Sequence, residues 1–230
     1  GFTFDMGPSW YWMPDVFEKF FGDFGKKTSD YYKLKRLTPA YRVYFEDGTS
    51  IDIPDSLEEI LKIFEKEEPG AGKILAKFLD DAGTNYRIAI ENLVYKPGVS
   101  PLELVTFETV KKLKQFVVTI SHQIRKRFKN PKLIKILEFP VLFLGAKPQD
   151  TPAFYNFMNH ADFVLGTWYP MGGMFKIVEA METLALSLGV KIHTESTVEK
   201  ISTLNGKVQG LIVNDVLMPS DFVLSGADYK

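Results

Sequence analysis

From residue 56 to about residue 145 the apolar side chains recur at helical spacing, whereas just before, over residues 41 to 53, they follow strand spacing, and this change of period restricts the fold more than any other feature. Ser56 and Glu59 predict a capping box ahead of Leu57, Ile60, Leu61 and Phe64, and Pro69-Gly70 interrupts that helix. A second helical stretch, from about Lys73 to Tyr95, carries Ile74, Leu75, Phe78, Leu79, Ala82, Ala89, Ile90, Leu93 and Val94, and Lys96-Pro97-Gly98 ends it. Val110, Leu113, Val117, Ile120, Ile124 and Phe128 then alternate steps of three and four, which predicts one helix stopped by Asn130-Pro131. Leu133 to Leu144 predicts another.

The flanks read differently. Residues 41 to 53 predict a hairpin turning at Asp47-Gly48, with β-branched and aromatic residues on both arms. Only a three-residue loop, Glu46-Asp47-Gly48, pairs Val43 with Ile51 and Tyr41 with Ile53 and so keeps the apolar residues on one face, with Gly48 in the left-handed conformation. Farther on, Met174, Ile177, Val178, Met181, Leu184, Ala185 and Leu188 form a helical stripe with Gly189 at its C-terminal cap position. Val190 to Thr194 predicts a strand, Asn205-Gly206 a hairpin turn, and Asp221 to Ser225 a last strand. A β-sheet interrupted by a helical insert makes the expected class α+β, or mixed α/β.

With 45% hydrophobic and 25% charged residues among 230, the composition is that of a folded chain. A net charge of -1 argues against nucleic acid as the partner, because phosphate binding draws on a surplus of Lys and Arg. The absence of Cys removes disulfides, thiolate nucleophiles and Cys-held zinc, and suits a reducing compartment. His122, His160 and His193 lack metal-ligand spacing, so no metal is assigned. No secretory signal is visible, and no apolar stretch reaches the roughly 20 residues that span a bilayer. Both ends are read as cut within a longer chain. Gly70-Ala71-Gly72 lacks the third glycine of a dinucleotide fingerprint and follows Pro69, which marks a turn between helices.

Two glycine-bearing corners carry more information. Gly1-Phe2-Thr3-Phe4-Asp5-Met6-Gly7-Pro8-Ser9 alternates aromatic and small residues before turning at Gly7-Pro8, so that backbone can approach a flat ligand. Gly166-Thr167-Trp168-Tyr169-Pro170-Met171-Gly172-Gly173-Met174 ends a strand and opens the striped helix on two glycines, an arrangement expected to leave helix-terminal amides uncovered. Taken singly, each corner is ordinary punctuation. Together with Met13-Pro14-Asp15, the run from Gly189-Val190-Lys191-Ile192 to Val198-Glu199-Lys200-Ile201, and Ser225-Gly226-Ala227-Asp228, they resemble the bacterial-type phytoene desaturases, flavin-dependent enzymes that desaturate carotenoid precursors.

The resemblance covers nearly the whole chain and implies the substrate-side domain of a two-domain FAD-dependent oxidoreductase, plus partial strands of the FAD domain. Residues 1–37 would border the flavin site, residues 38–169 would form the substrate domain with its insert at about 56–145, and residues 170–230 would return toward the FAD domain. The main FAD-binding segments are expected outside this chain, which alone should bind FAD weakly or not at all and lack turnover. Asp5, Gly7, Pro8, Ser9, Gly172, Gly173 and Met174 match positions near the flavin, and Tyr169 and Pro170 match positions bordering the flavin and substrate cavity. The implied substrate is an apolar polyene such as phytoene. No general base is carried over.

A hydrocarbon substrate offers no polar handle, so its site must work by apolar area and shape. Trp10, Tyr11, Trp12, Phe17, Phe20 and Phe21 after the first corner, Phe154, Tyr155 and Phe157 before the second, and Trp168 within it are candidate linings. Against that stands the frequency with which aromatics simply fill cores. From Lys111 to Lys135 there are nine Lys or Arg and no Asp or Glu, which reads either as a solvated helix face or as a peripheral contact with an anionic membrane surface. The latter would place the protein in the cytoplasm, peripherally on the inner face of the membrane. Unpaired edges at Asp221 to Ser225 predict self-association. Two other readings remain at this level: a related polyene flavoenzyme such as a carotenoid isomerase or ketolase, or a non-catalytic module binding apolar ligands or membranes.

Overall fold

The computed structural model describes residues 1–97, 99, 100, 103 and 105–227. The expected helix-ending Gly98 and the Asp228 of the last motif lie outside them. The chain divides into two compact units, Gly1–Ala180 and Met181–Lys230, and the division falls within one helix, Phe175–Ser187.

The first unit is mixed, as its periodicity requires. It opens with α1 (Pro14–Gly22) and β1 (Leu34–Arg36), followed by the hairpin of β2 (Tyr41–Tyr44) and β3 (Ser50–Ile53). The hairpin has the expected register, Tyr41 opposite Ile53 and Val43 opposite Ile51. Its loop closes between Phe45 and Thr49, with Gly48 at φ +79°.

Helices follow: α2 (Leu57–Glu67), α3 (Ala71–Arg87) running into a π-helical turn (Ile88–Leu93), α4 (Phe107–Lys111), α5 (Leu113–Val117), α6 (Ile120–Arg127) and α7 (Pro131–Glu138). Ser56 Oγ accepts from the Glu59 amide at 3.5 Å, a long cap. Asn130 caps α7 by accepting from the Lys132 amide at 2.9 Å, and Pro131 sits at the first helical position where its missing N–H costs nothing. The Gly70-Ala71-Gly72 run is a packing device. The Glu65 carboxylate accepts from both glycine amides, and a Cβ on Gly72 would lie 2.8 Å from the Leu61 carbonyl oxygen, so only glycine lets α2 and α3 approach this closely.

The single helix expected over residues 110–128 is three helices. Val118 is extended (φ -83°, ψ 139°), and Thr119 begins α6 by accepting from the His122 amide. The Ile120 amide donates to Thr151 and the Ala153 amide to Val118, so this short break is held as a strand-like contact. Three consecutive β-branched residues, Val117-Val118-Thr119, favour that extended conformation over helix. The stripe divides with the break: Ile120, Ile124 and Phe128 are 0% exposed, whereas Val110, Leu113 and Val117 are 56, 61 and 78% exposed.

Beyond α7 come 3₁₀ turns (Phe139–Leu144 and Ala153–Asn156), α8 (Phe157–His160), a second π-helical turn (Ala161–Leu165), β4 (Trp168–Pro170) and α9 (Phe175–Ser187). The helix expected over 133–144 thus tightens to 3₁₀ geometry where Pro140 interrupts it. The core gathers Ile53, Ile60, Leu75, Leu133 and Leu137 around the edge-to-face rings of Phe64, Phe128, Phe78 and Phe163. Each such side chain contributes about 1.5–3 kcal/mol on burial. β1 and β4, far apart in sequence, pair antiparallel with Leu34 opposite Pro170 and Arg36 opposite Trp168.

In the second unit β5 (Val198–Leu204), β6 (Lys207–Val213) and β7 (Val216–Pro219) form an antiparallel meander. Asn205 and Gly206, at φ 50° and 75°, make the expected turn, and Asn214 and Asp215, at 48° and 64°, make a second one. Gly189 follows α9 at φ +83° as expected. Neither Val190 to Thr194 nor Asp221 to Ser225 forms the expected strand, because neither finds a partner among the described residues to complete a ladder.

Candidate functional site

Asp5 ties the two glycine corners together. Its Oδ2 accepts from the Tyr169 hydroxyl at 2.6 Å, and its Oδ1 accepts from the Met174 amide at 2.9 Å, at the start of α9. A carboxylate there satisfies one otherwise orphaned amide and sits at the favourable end of the helix dipole. The hydrogen bond to Asp5 holds the Tyr169 phenol above its ordinary pKa. The expectation of uncovered amides is therefore corrected at two positions, since Met174 donates to Asp5 and Gly173 to the Pro170 carbonyl at 3.0 Å. Gly172 and Gly173 have φ of +100° and +105°, and a Cβ on Gly173 would stand 3.3 Å from Asp5 Oδ1. Glycine is required there both for backbone conformation and for the tie to Asp5.

Gly7, at φ +98° with open space where a Cβ would be, borders a hollow of about 270 Å³ with Pro8, Ser9, Trp10 and Phe143. Trp10 also borders a larger cavity of about 770 Å³, whose walls include Trp12, Tyr41, Phe139, Leu142 and Thr167. The rings are packed edge to face: Phe143 lies 5.0 Å from Trp10, 5.3 Å from Trp12 and 5.1 Å from Phe139. Trp12 Nε1 donates to Thr167 Oγ1 at 2.8 Å, which removes the indole's one polar group from the cavity. A space with such walls suits an extended apolar ligand.

The remaining predicted residues are placed by strand pairing. Trp168 exchanges backbone hydrogen bonds with Tyr11, donates its indole N–H to Leu165 at 2.8 Å and lies under the Arg36 guanidinium. Pro170 is buried at the end of β4. Phe154 and Tyr155 do not line the cavity: Phe154 stacks on Phe116 at 4.6 Å in a small core with Ile88, and Tyr155 packs against the main core. Tyr11 and Phe21 are core residues, Phe157 packs on Phe154, and Phe20 is exposed. Sequence reasoning missed Tyr41, Phe139, Leu142, Phe143 and Thr167. The run Phe139-Pro140-Val141-Leu142-Phe143-Leu144, too apolar for an exposed turn, was the available signal.

Two buried carboxyls lie near the cavity, one behind the wall residue Tyr41 and one on the wall itself. Asp162, 2% exposed, accepts from the Tyr41 hydroxyl at 2.6 Å, and burial pushes its pKa up to about 7 although that hydrogen bond opposes the shift. Glu138, the one on the cavity wall, is paired with Arg125, whose Nε and Nη2 each donate at 3.1 Å, and accepts from the Ser121 hydroxyl at 2.6 Å.

A glycine corner whose hollow shares Trp10 with an apolar cavity is what a flat redox ring and an apolar substrate need, although Gly172 and Gly173 line neither space. Sequence comparison agrees: the chain belongs to the flavin containing amine oxidoreductase family, whose profile matches residues 1–229. It is 39% identical over 236 residues to a carotenoid 3,4-desaturase of Haloarcula japonica, covering 100% of this chain and 47% of that protein. It is 32% identical to a 4,4'-diapolycopene oxygenase of a Methylomonas species (99% and 47% covered) and 31% identical to a zeta-carotene-forming phytoene desaturase of Myxococcus xanthus (99% and 45%). The chain spans about half the length of the curated relatives it matches. Among solved structures, an oxidoreductase from Methanosarcina mazei aligns at 27% identity with a TM-score of 0.38, over 51% of this chain and 31% of that one. The resemblance drawn from the two corners is borne out at the level of the family and its carotenoid-desaturating relatives.

Proposed function

We propose that this chain is the substrate-side portion of an FAD-dependent carotenoid desaturase. The observation that carries the reading is the junction of the two corners through Asp5, beside an apolar cavity that shares Trp10 with the Gly7 hollow. Gly7, Pro8, Ser9, Gly172, Gly173 and Met174 would hold the flavin edge, because three glycines with positive φ leave flat backbone where side chains would stand. When bound, FAD supplies the hydride acceptor. The chain's own residues do the rest. Asp5 fixes the spacing of the corners, and Trp10, Trp12, Phe139 and Leu142 bind the polyene by apolar contact and exclude water. At about 25 cal/mol per Å² of buried apolar surface, such walls bind without any polar contact.

A bilayer contact follows from the same substrate chemistry. Among the described residues no helix is long and apolar enough to cross a membrane. Phe107, Val110, Leu113 and Val117 are nevertheless exposed around the exposed Lys111 and Lys114. That arrangement suits resting on an anionic surface from which a lipid-dissolved polyene enters.

Expressing the full-length protein that carries this chain in cells accumulating phytoene or lycopene tests the reading. The expected result is a red-shifted product lighter by two hydrogens per new double bond. A product gaining oxygen would mean an oxygenase instead, and an unchanged polyene would refute both.

A further inference from the structure

Asp162 lies in the π-helical turn Ala161–Leu165, an uncommon geometry that is frequent at functional sites. Its Oδ2 accepts from Tyr41 at 2.6 Å, while its Oδ1 is buried without a hydrogen-bond partner. A buried carboxyl with one oxygen unpaired is costly, and nothing in the apolar packing of neighbouring Phe163 calls for it. Tyr41, its one hydrogen-bond partner among the described residues, is a wall of the 770 Å³ cavity. Through Tyr41 this carboxyl therefore stands one residue behind the wall of the space where an apolar substrate would lie.

We infer that Tyr41 and Asp162 are the proton-accepting pair of the cavity. As the polyene gives up a hydride to the flavin, the hydrogen on the adjacent carbon leaves as a proton to Tyr41 Oη, the Tyr41 proton passes to Asp162 Oδ2, and the electrons of the broken C–H bond form the new double bond. The substrate is oxidised by two electrons, the flavin is reduced by two, and Asp162 ends neutral. The inference rests on the desaturase reading above and supplies the base that the sequence left unassigned.

The surroundings suit this role. Burial holds the Tyr41 phenol well above its ordinary pKa, so the hydroxyl works as a relay and the carboxylate behind it is the store. Burial also brings Asp162 up to about 7, near the pH at which an acid–base group is most effective. Other charges are turned away or paired. The charges of α2 at Glu58, Glu59, Lys62, Glu65 and Lys66 are exposed, and α8 contributes His160 alone. Arg42 of the hairpin is paired with Asp52, and Arg36 donates to the carbonyls of Asp55 and Val164.

The test uses the full-length, flavin-loaded protein together with this chain by itself. Tyr41→Phe should lower kcat about 100-fold while KM for lycopene in mixed micelles changes less than about threefold. Asp162→Asn should do the same and abolish the acidic limb of kcat near pH 7, and Asp162→Glu should restore that limb. Without flavin or substrate, infrared titration of the chain should show a protonated-carboxyl band that fades as pH rises through about 7 and is missing in Asp162→Asn. An active parent beside an equally active Tyr41→Phe, or an acidic limb that persists in Asp162→Asn, overturns the relay alone. A parent that binds lycopene yet forms no double bond overturns the relay and the desaturase reading together.

Discussion

Helix α6 and its neighbours α4 and α5 carry one apolar stripe with opposite fates. Ile120, Ile124 and Phe128 are sealed in the core among Phe64, Phe78 and Leu133, while Val110, Leu113 and Val117, at the same three-and-four spacing, face outward. Spacing tells which side of a helix is apolar. What covers that side depends on where the rest of the chain arrives, and the extended residues at Val118 and Thr119 send the two halves to different places.

The widest contrast is in stability. Truncating the sealed half, Phe128→Ala, should cost about 3–5 kcal/mol through lost burial and a cavity, whereas Val117→Ala on the open half should stay within about 0.5 kcal/mol. Urea unfolding of both variants checks this, and equal losses would break the comparison.

The sealed region should also respond to pH in a way the open one does not. Asp162 is raised to about 7 from an ordinary value of 3.8, so the folded state keeps a proton that the unfolded chain releases. This group's contribution is therefore fully present below about pH 4 and is lost as pH rises to about 7, on the order of 4 kcal/mol in total. Asp162→Asn should remove that slope, seen as unfolding free energies that converge between pH 5 and pH 8.

A smaller effect is expected at the corner. Asp5→Ala leaves the Met174 amide and the Tyr169 hydroxyl without their acceptor, and should cost about 1 kcal/mol in this partly exposed setting. Proteolysis of residues 1–9 should quicken, while Phe154→Leu should leave that rate unchanged.

The open stripe gives the last test, one of binding. Lys111→Glu and Lys114→Glu should each weaken flotation with anionic vesicles by about 1 kcal/mol or slightly more, and raised salt should weaken it further. Neutral vesicles should retain much less protein. Flotation indifferent to charge and salt would make the exposed stripe an ordinary solvated surface.

Much of this was legible in the sequence because it is local. Gly48 set the register of the first hairpin, Asn205-Gly206 turned the second, Asn130-Pro131 began α7 and Gly189 closed α9, each through the conformational preferences of a few neighbouring residues. Asn214-Asp215 was equally readable and went unread. The two glycine corners were recognisable as short motifs, but what joins them was not: the hydrogen bonds of Asp5 to Tyr169 and Met174, the pairing of β1 with β4, and the meeting of Tyr41 with Asp162 all bring together residues more than a hundred positions apart. Local energies are fixed by neighbours along the chain, whereas these contacts form only once the core has decided which surfaces meet. That is why the corners could be found in the sequence, and why the cavity beside them, the division of the stripe and the buried carboxyl behind Tyr41 belong to the tertiary structure.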